Sequence, residues 1–185
     1  MPKNAASLIR NKLPGVLKGI SQLSLNAAFV GVPSGKTNRN SDEEEAQPMT
    51  NAALAFIHDN GSDAAHIPAR PFMRPGVERA QPQIIAALKQ GAKDSLTGGD
   101  PTRSLNLAGM AAQSTIRGVI NEGIGPPLAD STLRGRIRNK TSIKGAKVEL
   151  TARGKGEAPS TENAKPLIAT AQLRNAINYV IRKNK

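Results

Sequence analysis

The 185-residue chain suits one domain, and we predict a single domain over residues 1–185. The absence of Cys excludes disulfides and thiolate metal sites, and no run approaches the ~18 apolar residues of a membrane span. Aromatic residues make up only 2% of the chain, so its core must rest on Ala, Leu, Ile and Val. We expect this thin core to be completed against partner subunits, in a soluble protein made in a cytosol.

The net charge of +12 is concentrated in the last third of the chain. Residues 134–185 carry thirteen Lys and Arg against three acids, whereas residues 34–133 carry nine against eleven. A basic stripe is typical of a protein with a polyanion partner, although it also suits solubility or docking to an acidic protein. Aromatic residues are not interleaved for base stacking, so we do not expect sequence-specific binding of nucleic acid.

The beginning of the chain predicts a helix followed by a strand. Apolar positions in residues 5–22 recur at helical spacing, but Pro14 and Gly15 predict two short pieces or a kink. Residues 27–32 are rich in side chains that favour strands, and they predict a short β-strand.

A polar loop and a short helix come next. Residues 34–49 lack periodicity and predict a long exposed loop, whose acidic run at 42–45 is interpreted as a solvated patch rather than a metal site. Thr50 or Asn51 is expected to cap a short helix by accepting free backbone N–H groups, and Gly61 to end it. The predicted apolar face of this helix contains Ala52, Ala53, Phe56 and Ile57.

Residues 62–76 predict a stiff, extended arm, because three prolines fix φ and hold their neighbours out of the helical region. Such an arm presents Phe72 as an apolar anchor and loses little entropy on docking. We predict that it docks on a neighbouring subunit; a proline-rich connector that packs on its own domain is the alternative. The predicted interface residues are Ile67, Pro68, Arg70, Pro71, Phe72, Met73, Arg74 and Pro75.

Two long helices are predicted in the middle of the chain. Residues 77–97 have apolar residues at helical spacing, with Pro82 in the first turn or two. Asp100 is expected to cap a second helix that runs to about Glu122. The many Ala and Gly residues of this second helix indicate close packing against another helix.

The last third of the chain predicts mixed structure. Residues 129–139 predict a short basic helix or arm, and alternation in residues 146–152 predicts a strand. The chain closes with a helical turn or two and a strand from about residue 177 to 181. The predicted fold class is α+β: a small, mostly antiparallel sheet packed with two central helices, with long loops and an extended Pro-rich arm.

The residues that could carry chemistry do not predict catalysis. VPSGK at residues 32–36 lacks the spacing of a phosphate-binding loop, and His58 and His66 are separated by Gly61 rather than paired on a helix. No Ser-His-Asp set stands out. We therefore predict a protein that is not an enzyme and that has no cofactor and no metal.

The order of several short phrases resembles the tail-completion, or neck, proteins of long-tailed bacteriophages. The matching phrases lie at residues 30–33, 51–61, 67–75, 126–136 and 166–180. The phrase IPARPFMRP at residues 67–75 is the most specific, and the match covers about residues 27–182. Ala171 departs from the family pattern, which has Gly there, so the turn before the last helix could differ in this chain.

The resemblance implies a structural virion protein that forms a homo-oligomeric ring, a hexamer or dodecamer, at the head–tail junction. Such a subunit completes the tail and joins it to the head connector. Its implied neighbours are neck or connector proteins and tail-terminator or tail-tube proteins, and it is made in the host bacterial cytoplasm before entering the tail or neck. The runner-up is a small basic nucleic-acid-binding or packaging-associated phage protein.

Six basic residues in the last third could meet genomic DNA in the channel of such a ring, without base readout, or an acidic face of an adjoining ring. They are Arg134, Arg136, Arg138, Lys140, Lys144 and Lys147. If this segment is extended, alternation places the three arginines on one side; on a helix they spread around more than half of the circumference. We favour the extended arm that lines a lumen.

Overall fold

The computed structural model of the protein describes residues 5–33, 49–97, 100 and 102–183. In these residues the chain forms seven helices and two strands that pair as an antiparallel sheet. In chain order they are α1 (Ala5–Leu25), β1 (Asn26–Gly31), α2 (Asn51–Asn60), α3 (Met73–Leu96), α4 (Thr102–Glu122), α5 (Asp130–Arg138), α6 (Ile143–Gly154), α7 (Gln172–Ala176) and β2 (Asn178–Lys183). The predicted α+β class is confirmed, with 61% helix and 9% strand. The loop predicted at residues 34–49 lies outside the described residues except for Met49.

The chain forms two compact units. Unit 1 comprises Met1–Val30, Arg79–Ser114 and Tyr179–Lys185, and unit 2 comprises Gly31–Glu78 and Thr115–Asn178. Helices α3 and α4 each contribute residues to both units. The single domain predicted over residues 1–185 stays a prediction.

Unit 1 places small residues where its elements approach most closely. A Cβ added at Gly19 of α1 would lie 3.1 Å from the Cα of Ser95 in α3. On α4, a Cβ added at Gly109 would collide with the ring of Tyr179 on β2. The Tyr179 hydroxyl donates a hydrogen bond to Asn106 Oδ1 at 3.2 Å. The glycines therefore allow α1 to approach α3, and β2 to approach α4.

Helix α1 differs from its prediction. The two-piece interpretation is wrong, because Ala5–Leu25 forms one helix with Pro14 inside it. An internal proline removes a backbone hydrogen bond and costs about 3 kcal/mol, which is why the local pattern favoured a break. The close approach of Gly19 to Ser95 shows that α1 packs against α3, and tertiary packing of this kind overrides local propensity.

Helix α3 begins at Met73 rather than at the predicted residue 77. Asp59 Oδ1 accepts hydrogen bonds from the backbone N–H of Phe72 at 2.7 Å and of Met73 at 3.0 Å. A helix starts with backbone N–H groups that have no partner within the helix, and this carboxylate accepts two of them. Asp59 lies 13 residues before Phe72, so a search for a local cap misses it.

Helix α4 follows its prediction closely. Asp100 Oδ1 accepts a hydrogen bond from the backbone N–H of Thr102 at 2.9 Å, where the helix begins. The apolar residues that recur at helical spacing in this sequence, and that predict one stripe, are buried along the helix, with Ile116 and Ile120 completely enclosed. Its other buried members are Leu105, Ala108, Ala112 and Val119. The apolar spacing alone was therefore sufficient to predict this element.

The cap of α2 is confirmed, but its predicted face is wrong. Thr50 Oγ1 accepts a hydrogen bond from the Ala53 N–H at 3.1 Å, and Gly61 follows the helix with φ +81°. The buried residues are Asn51 and Ala55, whereas Phe56 of the predicted apolar face is 69% exposed. Asn51 and Ala55 are four residues apart, so the buried face contains a polar residue and differs from the face that the apolar residues predict.

Unit 2 contains a core between α5 and α6. Its buried members are Leu128, Leu133, Ala146 and Ala164, with Ile137 and Leu150 packed against them.

The strand predicted at residues 146–152 is wrong, because these residues belong to α6. Ala146, Glu149 and Arg153 face inward at helical spacing, so two of the three residues of this inward stripe are charged. Apolar periodicity cannot reveal a buried stripe that contains charged residues. The alternation of apolar and polar residues in this segment therefore predicted a strand that does not form.

Candidate functional site

The predicted arm folds back on its own unit. Ser62 and Ile67 exchange backbone hydrogen bonds of 2.8 and 2.9 Å, and the Arg70 N–H donates to the carbonyl of His58 at 2.8 Å. The turn begins at Gly61, where a Cβ would lie 2.8 Å from the Ala69 nitrogen. These contacts attach the segment to the C-terminal end of α2, which agrees with the alternative of a connector packing on its own domain.

The second half of the predicted arm is not extended. Met73, Arg74 and Pro75 form the first turn of α3, so the arm predicted at residues 62–76 ends at Phe72. Phe72 is 0% exposed in the isolated chain and is therefore not available as a protruding anchor for a neighbour. Of the other predicted interface residues, Pro68, Pro71 and Arg74 are exposed while Ile67, Met73 and Pro75 are half-buried, and their contact with a subunit stays a prediction.

The six basic residues lie on helices and in the turn between them, so the extended arm is wrong. Arg134 and Arg138 are exposed at i, i+4 spacing on α5, whereas Arg136 between them is 8% exposed. Lys140 is exposed in the turn, and Lys144 and Lys147 are exposed at i, i+3 spacing on α6. A helix separates the alternating arginines because successive residues rotate by about 100°, as the 3.6-residue turn requires.

Arg70 and Arg136 come from two separately predicted sets, and the fold brings them together. The Nε and Nη2 groups of Arg70 donate to the carbonyl of Pro126 at 3.1 and 2.9 Å. Arg136 Nη1 donates to the carbonyl of Lys165 at 3.0 Å. Burial lowers the pKa of Arg70; burial, and then the positive charge of Arg70, lower the pKa of Arg136. Both side chains nevertheless remain charged at neutral pH, as guanidinium groups do.

The two guanidinium groups line one pocket of unit 2, with a volume of ≈ 350 Å³. Leucines 54, 128, 167 and 173 supply apolar wall, and threonines 132, 141 and 170 supply hydroxyl groups. None of the described residues that line the pocket is acidic. The pocket therefore combines positive charge, hydroxyl donors and an apolar wall.

A buried ionic network, which the sequence did not predict, holds α5, α6 and the segment after α6 together. Arg153 donates from Nη1 to Asp130 Oδ1 at 2.6 Å and to the carbonyl of Leu128 at 2.9 Å. Its Nε and Nη2 lie 3.0 and 2.9 Å from Glu149 Oε1. Ser160 N–H donates to the same carboxylate oxygen at 2.8 Å. This network ties α6 to the start of α5, the helix that carries Arg136.

The ionisation of Glu149 depends on its partners. Burial raises the pKa of this carboxyl. Hydrogen bonds from the Ser160 N–H, the Asn163 side chain and Arg153, together with the charge of Arg153, lower the pKa by more than burial raises it. The pKa of Glu149 therefore lies below its ordinary value. Burial alone lowers the pKa of Arg153, and its bonds to Asp130 and Glu149 raise it above its ordinary value. Both groups are therefore held in their charged forms.

Within the described part of the chain, no group of three His, Cys, Asp or Glu side chains could hold a metal ion. No helix among those residues has the length and apolar character to cross a membrane. Most of the VPSGK segment at residues 32–36 and all of the acidic run at residues 42–45 lie outside the described residues. No protein-family model, curated protein or solved structure matches the chain.

Proposed function

We propose that this protein is a structural virion subunit that assembles into a ring at the head–tail junction of a long-tailed phage. In this role it completes the tail and joins it to the head connector, after synthesis in the bacterial host. Its neighbours would be further copies of itself, neck or connector proteins, and tail-terminator or tail-tube proteins. The proposal rests on the resemblance of its sequence phrases and on one structural observation.

The observation that carries the proposal is the uncovered apolar surface of unit 1. Ten of the thirteen exposed large apolar side chains among the described residues belong to this unit. They lie on α1, β1, α3 and α4: Leu13, Leu17, Ile20, Leu25, Phe29, Ile85, Leu88, Leu96, Leu107 and Met110. On α1 the first three recur at i, i+4 and i+7, which is the stripe of a helix that packs against another surface. Exposed apolar sets of this kind mark interaction sites.

The backbone at Ala171 supports the resemblance from a second direction. Ala171 has φ +57° and ψ 1°, a left-handed conformation that glycine adopts without steric cost. This is the position at which the family pattern has Gly. The departure at Ala171 therefore changes the side chain while the chain keeps the conformation that glycine favours.

Genomic DNA in the ring channel is a further proposed contact. Arg134, Arg138, Lys144 and Lys147 are exposed on α5 and α6, and such cations attract phosphates without reading bases. The same observation favours the second candidate, a small basic nucleic-acid-binding or packaging-associated phage protein. The two candidates differ in assembly: the ring subunit needs its apolar stripes, whereas the second candidate needs only its cations.

The test compares two sets of variants by native mass spectrometry and negative-stain electron microscopy over a range of protein concentrations. The wild-type chain is expected to form a closed oligomer of one defined mass. Replacing Leu13, Leu17 and Ile20 with Ser should leave a folded monomer, because the apolar stripe of α1 is lost. Lys18→Ser on the same helix is the matched control and should assemble normally.

A second pair of substitutions separates the two candidate functions. Arg134→Gln with Arg138→Gln should keep the oligomer and reduce salt-dependent binding of random duplex DNA. A wild-type chain that stays monomeric at every concentration, yet binds duplex DNA with the steep salt dependence of phosphate contacts, would favour the second candidate and reject the ring.

A further inference from the structure

Unit 2 contains two buried positive charges that have no negative partner among the residues that the structure describes. Arg70 is 6% exposed and Arg136 is 8% exposed, and no carboxylate among the described residues forms an ion pair with either. Their contacts are with backbone carbonyls of Pro126 and Lys165, which carry no net charge. A buried charge is costly unless it is paired, and two like charges close together add repulsion. An arrangement that is costly in the free protein is explained if an anion completes it.

Donor capacity remains for that anion. A guanidinium group has five N–H donors in a planar fork that matches a carboxylate or phosphate. The hydrogen bonds to Pro126 and Lys165 engage two nitrogens of Arg70 and one of Arg136, and both side chains line the same ≈ 350 Å³ pocket. Thr132, Thr141 and Thr170 add hydroxyl groups that can donate to the same oxygens.

We propose that the pocket framed by Arg70 and Arg136 binds a carboxylate carried on an apolar stem, as an Asp, Glu or C-terminal residue of a partner polypeptide presents it. The two guanidinium groups bind the carboxylate oxygens, and the leucines at 54, 128, 167 and 173 cover the stem. This inference does not depend on the proposed ring, since it follows from the chemistry of unit 2 alone.

The apolar wall is what favours a peptide carboxylate over a DNA phosphate. A phosphate of duplex DNA is attached to a hydrated sugar backbone, which gains little from contact with leucine. The exposed arginines and lysines of α5 and α6 offer phosphate the open contact that it needs, whereas Arg70 and Arg136 are withdrawn from solvent. A short side chain, by contrast, can enter a pocket and bury its methylene groups.

The test titrates the full-length protein with three probes: N-acetyl-leucyl-glutamate amide, inorganic phosphate and a random twelve-base-pair duplex. Binding is followed by calorimetry and by the NMR signals of the threonine methyl groups at 132, 141 and 170. The dipeptide should bind and shift these signals. Arg136→Gln and Arg70→Gln should each weaken its binding by roughly tenfold or more, as expected when a hydrogen bond to a charged group is lost.

Matched variants keep the test decisive. Arg134→Gln and Arg138→Gln remove exposed arginines from the same helix and should leave dipeptide affinity unchanged. If the Arg136→Gln chain does not fold, titrations of the wild-type and Thr132→Val proteins still test the proposal, since both measure binding in the pocket directly. The proposal is overturned if the dipeptide shifts none of the three threonines. It is also overturned if phosphate or the duplex binds there as tightly as the dipeptide does.

Discussion

The two units of this protein differ in where they place charged and large apolar side chains. Every buried charged residue among those the structure describes lies in unit 2: Arg70, Arg136 and Glu149. Unit 1, by contrast, exposes large apolar side chains such as Leu17, at 58%, and Leu96, at 63%. Unit 2 therefore uses charged groups within its own interior, whereas unit 1 leaves large apolar side chains exposed.

This difference separates two contributions to function. A buried charge stabilises a fold only when its hydrogen bonds and partners are in place, so it fixes side chains in specific positions. An exposed apolar stripe fixes nothing within the monomer but drives association when a complementary surface is present. We infer that unit 2 contains a defined binding pocket and that unit 1 provides the apolar surface for association.

The largest expected effect comes from an apolar side chain that unit 2 encloses. Phe72→Ala should lower the free energy of unfolding by about 3–5 kcal/mol, because it removes a fully buried ring and leaves a cavity. Urea denaturation of the monomer, at concentrations below any assembly, gives the value. The effect should appear in the isolated chain, with no partner subunit present.

Two exposed side chains are the controls for Phe72. Phe56→Ala in the same unit removes the same ring, and Leu17→Ala in unit 1 removes part of an apolar stripe. Both should stay within about 0.5 kcal/mol of the wild-type monomer, as exposed positions do. A loss at Leu17 comparable with the loss at Phe72 would show that unit 1 uses its stripe internally, and the comparison of the two units would fail.

A smaller loss is expected in the ionic network. Glu149→Gln should lower the free energy of unfolding by about 1.5–3 kcal/mol, the range for a hydrogen bond to a charged group. Gln keeps the size of the side chain but not the charge that faces Arg153, whose nearest atom lies 2.9 Å from Glu149. Glu157→Gln, an exposed acid beyond α6, is the control and should have no measurable effect.

The pH dependence provides an independent measurement on the same residue. Because the folded pKa of Glu149 lies below its unfolded value of 4.5, its stabilisation is fully present above 4.5. It is lost as the pH falls through the folded pKa, where the carboxylate gains a proton. Glu149→Gln should therefore flatten the fall in stability below pH 4.5, and an unchanged acid profile would contradict the assignment.

The sequence predicted those elements whose buried face is apolar and whose caps are local. The α4 stripe and the Thr50 cap of α2 could be found because the signals lie within a few residues. Helix α6 could not, because Glu149 and Arg153 occupy its buried face. The start of α3 also could not, because its cap, Asp59, is distant in the sequence.

The candidate site was predicted only in parts. Arg70 and Arg136 were both identified, but as members of an arm and of a basic stripe, and nothing in their spacing indicated a shared pocket. Their burial depends on the packing of α5 and on the connector after α2, which are tertiary contacts. Isolated arginines in a basic sequence are expected to be exposed, so the signal of a buried pair appears only in the fold.

The smallest expected effect concerns Ala171, just before α7. Its φ of +57° places Cβ in a left-handed conformation that costs an L-residue roughly 1–2 kcal/mol. Glycine removes that cost but adds freedom to the unfolded chain worth about 0.4–1 kcal/mol. Ala171→Gly should therefore raise the free energy of unfolding by between about 0 and 1.6 kcal/mol, the difference between these two opposing quantities.

Ala176, at the end of α7, is the control that isolates the backbone effect. It is helical, without a positive φ, so Ala176→Gly gains no relief of strain and should lower stability by roughly 0.5–1 kcal/mol. Thermal and urea unfolding of the two single variants beside wild type should give stability changes of opposite sign, because Ala171 has a positive φ and Ala176 does not. If both variants are destabilised alike, position 171 is not left-handed in solution, and the agreement between its backbone and the family's glycine is lost as support for the ring subunit.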